Sequence, residues 1–254
     1  MRRETTEFLP SDYELAYPPG IERHYWTMAR NSILLDQLTR RGCLGMKWLE
    51  VGCGRGLVLH FLRTAGVDVI GAELAPMEST TGMSEFIYSG LDARDLPINI
   101  RSRIEGLMLL DVIEHIEDPG EFLRELLYAL PAVKTILVAV PARKELWSNY
   151  DEHYGHFRRY DEIQLRAHLR DGGATPIELQ YVFRALYPFA WLLARFQKKR
   201  SIQVFAPSGI LALIHRYVAG LLRWEARLLP PALPGMSLLC FAKRTELPTK
   251  GNLA

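Results

Sequence analysis

Trp48-Leu-Glu-Val-Gly-Cys-Gly-Arg-Gly-Leu57 is the stretch that decides the fold. The apolar run 46–51 predicts a buried strand, and Leu57, Val58, Leu59, Phe61 and Leu62 open a helical pattern. Between the two stand Gly52, Gly54 and Gly56. Without Cβ these residues let the chain turn sharply and let a ligand lie against bare backbone. The helix that follows would aim its free N–H groups and positive dipole end at that ligand. Strand, glycine turn and helix together form the opening unit of a doubly wound sheet.

The chain on either side repeats this alternation. Further strands are predicted over 67–72 (ending at Glu73), 86–89, 106–110, 135–140 and 178–183, with a last one over 237–242. Helices are predicted over 21–41, after the Asp118-Pro119 start signal, and over 161–170. Strands alternating with helices imply a parallel, right-handed α/β sheet with ligands beyond its carboxyl edge. The expected architecture is seven-stranded and mostly parallel, with an antiparallel last strand and a helical C-terminal cap. Its segments are an irregular arm and lid helix (1–45), a core (46–185), a helical cap (186–235), the last core strand (236–244) and a loose tail (245–254).

Composition narrows the function. The 254 residues are 48% apolar and 24% charged with a formal charge of +2, so no general affinity for nucleic acid is expected. Cys43, Cys53 and Cys240 are odd in number and lack metal-like spacing, which suits reduced thiols in a cytoplasmic protein. Cys53 reads as a small filler of the glycine turn. Glu73 falls about twenty residues past Gly52, where an acid can accept two hydrogen bonds from a ribose diol. The dinucleotide fingerprint wants a small residue where Leu57 stands, which speaks against a nicotinamide-dependent oxidoreductase.

With Asp92 and Asp111-Val-Ile-Glu-His115 added, the chain resembles class I S-adenosylmethionine-dependent methyltransferases of the bacterial type 11 and type 12 group. The matching pieces are residues 49–56, 91–97, 110–119 and 140–142, and a subgroup also resembles 146–148, 155–160 and 233–238. The fourth strand departs from the pattern, beginning Ile104-Glu-Gly-Leu in place of an aromatic-acid start. The resemblance implies a Rossmann-like fold and S-adenosylmethionine as cofactor, with S-adenosylhomocysteine as product. It places Gly52, Cys53, Gly54 and Gly56 at the methionine part, with Glu50 beside the loop as contact or brace. Glu73 and Leu74 would sit at the ribose, Asp92 and Ala93 at the adenine, and Asp111 and Val112 between cofactor and acceptor. Asp95 reads as a helix cap.

Methyl transfer is an in-line displacement that needs positioning more than covalent chemistry. For a hydroxyl acceptor, His115 and His156 are the candidate bases; a hydrogen bond closing the turn is the other reading of His115. Tyr25 and Trp26 on the lid helix, with Arg158, Arg159 and Tyr160, are the candidate acceptor contacts; the other readings are aromatics packed on the domain for the first pair and an ion-paired capping segment using Arg158, Arg159 and Asp161 for the second group. The Asp111-x-x-Glu114-His115 spacing resembles the metal-binding stretch of ubiquinone-biosynthesis O-methyltransferases and small-RNA 2′-O-methyltransferases. Many methyltransferases with a similar stretch use no metal, and none is expected. Residues 210–229 are apolar at helical spacing, with Arg216, Arg223, Glu225 and Arg227 between. With 187–193 and Lys198-Lys-Arg200 they form either a cap over the substrate end or an interfacial surface at the inner face of the membrane. No membrane span is expected.

The reading is a methyltransferase, monomer or homodimer, acting on a small, partly apolar metabolite at oxygen. The alternatives are transfer to N or C of a lipid-linked or isoprenoid acceptor, and a cofactor-binding module without turnover.

Overall fold

The structure is a computed structural model and describes residues 10–77, 82–196 and 201–245. The helices are α1 (Pro10–Ala16), α2 (Tyr25–Arg40), α3 (Leu57–Thr64), α4 (Ile98–Arg101), α5 (Pro119–Ala129), α6 (Asn149–His153), α7 (Glu162–Asp171), α8 (Tyr187–Phe196) and α9 (Gly209–Leu228). The strands are β1 (Trp48–Val51), β2 (Val69–Glu73), β3 (Ile87–Ser89), β4 (Gly106–Leu110), β5 (Thr135–Pro141), β6 (Ala174–Val182) and β7 (Ser237–Arg244). They form one sheet in the order β3-β2-β1-β4-β5-β7-β6, with β7 antiparallel to both neighbours. This is the expected architecture. Residues 1–9, the tail beyond 245 and Lys198-Lys-Arg200 lie outside the described residues.

Two apolar layers clothe the sheet. One gathers Leu49, Leu107 and Val138 with Leu123 and Leu126 of α5; the other gathers Trp48, Met108 and Leu137 with Leu34 of α2 and Leu59 of α3. Trp48 is fully buried and pairs with Gly106, where a Cβ would overlap its indole. The strand start that departs from the family pattern is therefore the one that makes room for Trp48. Asp118 and Asp161 cap α5 and α7 by accepting from the N–H groups of Glu121 and Gln164.

Two local expectations are corrected. The arm expected to be irregular contains α1, and the cap assigned to Asp95 belongs to Asp92, whose carboxylate accepts from the Arg94 N–H at 2.8 Å. Among the described residues no helix is long and apolar enough to cross a membrane.

Candidate functional site

Strand order reverses between β1 and β4, and a cleft of about 1210 Å³ opens beyond their carboxyl ends. Gly52 and Gly54 turn through left-handed backbone at φ 69° and 53°. A Cβ on Gly52 would press Val112 at 3.0 Å, and one on Gly54 would press the Tyr17 hydroxyl at 3.1 Å. Bare backbone is thus needed on this wall. Asp111 stands opposite, itself left-handed at φ 57°, a strained state for a residue with a side chain.

Carboxylates ring the cleft. Glu73 accepts from the Gly54 N–H at 2.8 Å through Oε2, and from the Ala75 N–H at 3.1 Å and the Tyr13 hydroxyl at 3.2 Å through Oε1. It so ties the glycine turn, the end of β2 and α1 together. Asp92 accepts from the Arg94 guanidinium, which also pairs with Glu125. Burial pushes the Glu50 carboxyl up to about 8, although Arg30 opposes the shift. Arg30, from α2, pairs with Asp111, and its Nε–H has no partner among the described residues.

At the far side, Asp151 accepts from Arg159 Nε at 2.7 Å and holds His156 Nδ1 at 2.9 Å. Burial would raise the Asp151 carboxyl, but the His156 and Arg159 contacts outweigh it and bring it down to about 2. The His156 ring lies edge-on to His115 with centroids 4.6 Å apart. Burial and the neighbouring His156 draw His115 down to about 4, so it is neutral at pH 7. Glu114 is fully buried, and neither of its carboxylate oxygens finds a hydrogen-bonding partner elsewhere in the described chain. Ligand atoms of Glu114, His115 and His156 lie within 4.8 Å of one another. One carboxylate and two imidazoles, one of them oriented by an acid behind it, suit a divalent ion. The expectation of no metal meets a donor set that fits one.

Most residues singled out in the sequence come together here. Glu50, Gly52, Cys53, Gly54, Glu73, Leu74, Asp92, Ala93, Asp111 and Val112 line the cleft, as do His115, His156, Tyr25, Trp26 and Arg159. Three do not. Gly56 caps α3 behind the wall. Tyr160 is fully buried and donates to the Ile113 carbonyl, while Arg158 reaches the Glu117 carbonyl. The reason is the extended backbone leading into the bridge between Tyr160 and Ala142. Adjacent side chains there face opposite ways, so Phe157 and Arg159 reach the cleft and Arg158 and Tyr160 turn from it. Sequence reasoning missed Tyr13, Tyr17, Arg30 and Asp151. Only the Tyr13–Tyr17 spacing, one helical turn apart on a polar arm, was a local signal.

A family model described as a methyltransferase domain matches residues 27–179. The chain belongs to this family. It is a class I S-adenosylmethionine-dependent methyltransferase, and the nicotinamide-dependent alternative falls. A probable S-adenosylmethionine-dependent methyltransferase of Mycolicibacterium smegmatis is 29% identical over 53% of this chain and 52% of its own. A ubiquinone biosynthesis O-methyltransferase of Azorhizobium caulinodans is 30% identical over 35% of this chain and 38% of its own. The matched stretches thus span about half of the first relative and less of the second. In fold, the methyltransferase resembles the magnesium protoporphyrin IX methyltransferase of Synechocystis PCC 6803, solved with bound S-adenosylhomocysteine (TM-score 0.53, 13% identity, 92% and 93% of the chains). It also resembles the putative methyltransferase solved with the Trm112 activator of Haloferax volcanii (TM-score 0.55, 16% identity, 93% and 96%). The cofactor is S-adenosylmethionine, and the bare glycine wall with acids beyond it fits such a molecule.

Proposed function

We propose that this methyltransferase acts on a hydroxyl of a small, partly apolar acceptor. The observation that carries the reading is His156, set in the wall of the cleft and held at Nδ1 by buried Asp151. An imidazole oriented by a carboxylate leaves its other nitrogen to take a hydroxyl proton. The O-methyltransferase relatives support the choice of oxygen. Phe157, Ile116 and Leu126 supply apolar wall nearby.

The cofactor supplies an electrophilic methyl group, and the chain's residues bind and orient around it. Gly52 and Gly54 would receive its amino-acid part, with Arg30 and Asp111 as the charged pair beside it. Glu73 and Leu74 would receive the ribose, and Asp92 with Ala93 the adenine. Tyr25, Trp26 and Arg159 would face the acceptor.

The Glu114 carboxylate, unpartnered among the described residues, favours a second reading, in which Glu114, His115 and His156 would hold a divalent ion supplying Lewis-acid activation of a hydroxyl. The test is product analysis with S-adenosylmethionine and a panel of phenols bearing apolar side chains. The expected product is an O-methyl ether, with turnover lost in His156→Gln. A methyl group on nitrogen or carbon refutes the choice of oxygen, and full turnover in His156→Gln refutes its role. Loss of turnover with a chelator, restored by Mg²⁺, selects the metal reading. Cofactor binding without any product selects the module without turnover.

A further inference from the structure

The segment between β6 and β7 leaves a large apolar surface uncovered. Helix α8 buries none of its residues, and Phe189, Trp191, Leu192, Leu193 and Phe196 stand between 45% and 77% exposed. Helix α9 has two apolar stripes. One, through Ala219 and Leu222, is buried toward α2, where Arg223 and Arg227 both grip Asp36. The other runs through Ile210, Leu213, Tyr217, Leu221 and Trp224 at turns of three and four, and every member is at least 49% exposed. Isolated exposed apolar residues are ordinary, but two successive helices each presenting a run of them mark an interaction surface.

The charge around this surface says what it meets. Among the described residues from 185 to 224 there are three cations, Arg195, Arg216 and Arg223, and no acid, and Arg223 is spent on Asp36. Across the whole chain the two signs nearly balance, so the excess is local. Arg195 and Arg216 are exposed and form no ion pair among the described residues. The next acid, Glu225, is turned inward and accepts from the N–H groups of Arg184 and Ala185 at 2.6 and 2.7 Å. A second copy of the chain would set these cations against their own kind across a two-fold axis. Anionic lipid head groups complement them, and Trp, Tyr and Phe suit the boundary between head group and acyl chain.

We infer that α8 and α9 form an in-plane docking surface for an anionic lipid bilayer. Helices of this kind rest their apolar face at the acyl boundary and their cations among the phosphates. The surface adjoins the cleft, whose wall includes Ser201, Gln203, Val204 and Phe205 after α8 and His215 of α9. Docking would therefore bring the mouth of the cleft to the bilayer, where an acceptor with an apolar tail is concentrated. This inference reads the surface alone and stands whether or not the acceptor atom is oxygen.

The experiment is flotation of the full chain with vesicles of phosphatidylcholine alone and of phosphatidylcholine with about one third phosphatidylglycerol. We expect binding to the anionic vesicles, at least about tenfold weaker to neutral ones and weakened by raising salt from 0.1 to 0.5 M, in keeping with a charge-assisted interfacial contact. Phe189→Glu with Phe196→Glu, and separately Ile210→Glu with Leu213→Glu, should each lower partitioning at least about tenfold while S-adenosylhomocysteine affinity holds, since a buried anion opposes insertion. Two pairs on two helices guard against one failing to fold. Absence of wild-type binding to anionic vesicles overturns the inference, as does equal binding by both folded variants. A dimer in light scattering that the same substitutions break, without vesicle binding, assigns the surface to a second copy and overturns it too.

Discussion

Replacing Glu73 by Gln probes the cleft at its most connected atom pair. The carboxylate has about four lone-pair positions, and three are engaged, by Gly54, Ala75 and Tyr13. An amide keeps the shape but presents an NH₂ to one of these donors whichever way it is turned. Hydrogen bonds to a charged group contribute about 1.5–3 kcal/mol each, so the free protein should lose roughly that much stability. A ribose diol offers two donors, of which Gln can accept one fully. Losing one such bond weakens binding about 10- to 150-fold. The assay is calorimetry with S-adenosylhomocysteine, with circular dichroism to verify the fold. Tyr13→Phe is the companion, because the Tyr13 hydroxyl occupies an oxygen that the ribose needs. Its removal should leave the sheet intact while loosening α1, and should tighten binding by about tenfold or more, the worth of one hydrogen bond to a charged group. An affinity within twofold of wild type in folded Glu73→Gln would refute the ribose assignment. Weaker binding in Tyr13→Phe would make Tyr13 a cofactor contact and not a competitor.

Gly54→Ala forces an L side chain into φ 53° and against Tyr17; a loss of about 1–2 kcal/mol in urea unfolding and weaker S-adenosylhomocysteine binding are expected. Asp36→Ala unties Arg223 and Arg227 of α9 from α2 and should lower stability by about 1 kcal/mol, the discount reflecting the solvent around both arginines. Glu50 is raised above its unfolded value of 4.5 to about 8. The folded state therefore holds this proton longer, and the contribution is fully present below 4.5 and lost as pH rises to about 8. Glu50→Gln should flatten that slope, so its melting temperature gains on wild type between pH 5 and 8; parallel melting curves would refute the raised value. Asp151→Asn removes the charge that orients His156 and should lower kcat more than the cofactor's Kd changes, measured on the acceptor found by product analysis.

The sheet was legible because its central strands β4 and β5 are almost wholly apolar and the turn after β1 is glycine-marked. Local chemistry of this kind survives folding: Asp118 and Asp161 cap where their sequence places them. What escaped was set by distance along the chain. Arg30 meets Asp111, and Tyr13 meets Glu73, only once the sheet has brought them to one edge. Helix α1 is short for independent stability; the Tyr13 contact anchors it, and the one-turn spacing of Tyr13 and Tyr17 was its sole local trace. The run from Gly155 to Tyr160 read as a single unit, either a loop of acceptor contacts or an ion-paired capping segment. Its side chains divide by the two-residue period of extended backbone, which becomes visible only with the bridge to Ala142. Leu57 weighed against a nicotinamide cofactor, and the family match bears that out.

The antiparallel β7 has a consequence for how such an enzyme can change. Val182 and Ser237 are register partners, so the long excursion 183–236 leaves the sheet and re-enters it side by side. To the sheet this excursion is a hairpin loop, and lengthening such a loop costs little closure entropy. The surface that selects what is brought to the cleft can therefore be exchanged, shortened or rebuilt while the glycine turn, Glu73 at the end of β2 and Asp92 after β3 keep their places. A graft between these two residues is the natural route to a new clientele on an old cofactor site.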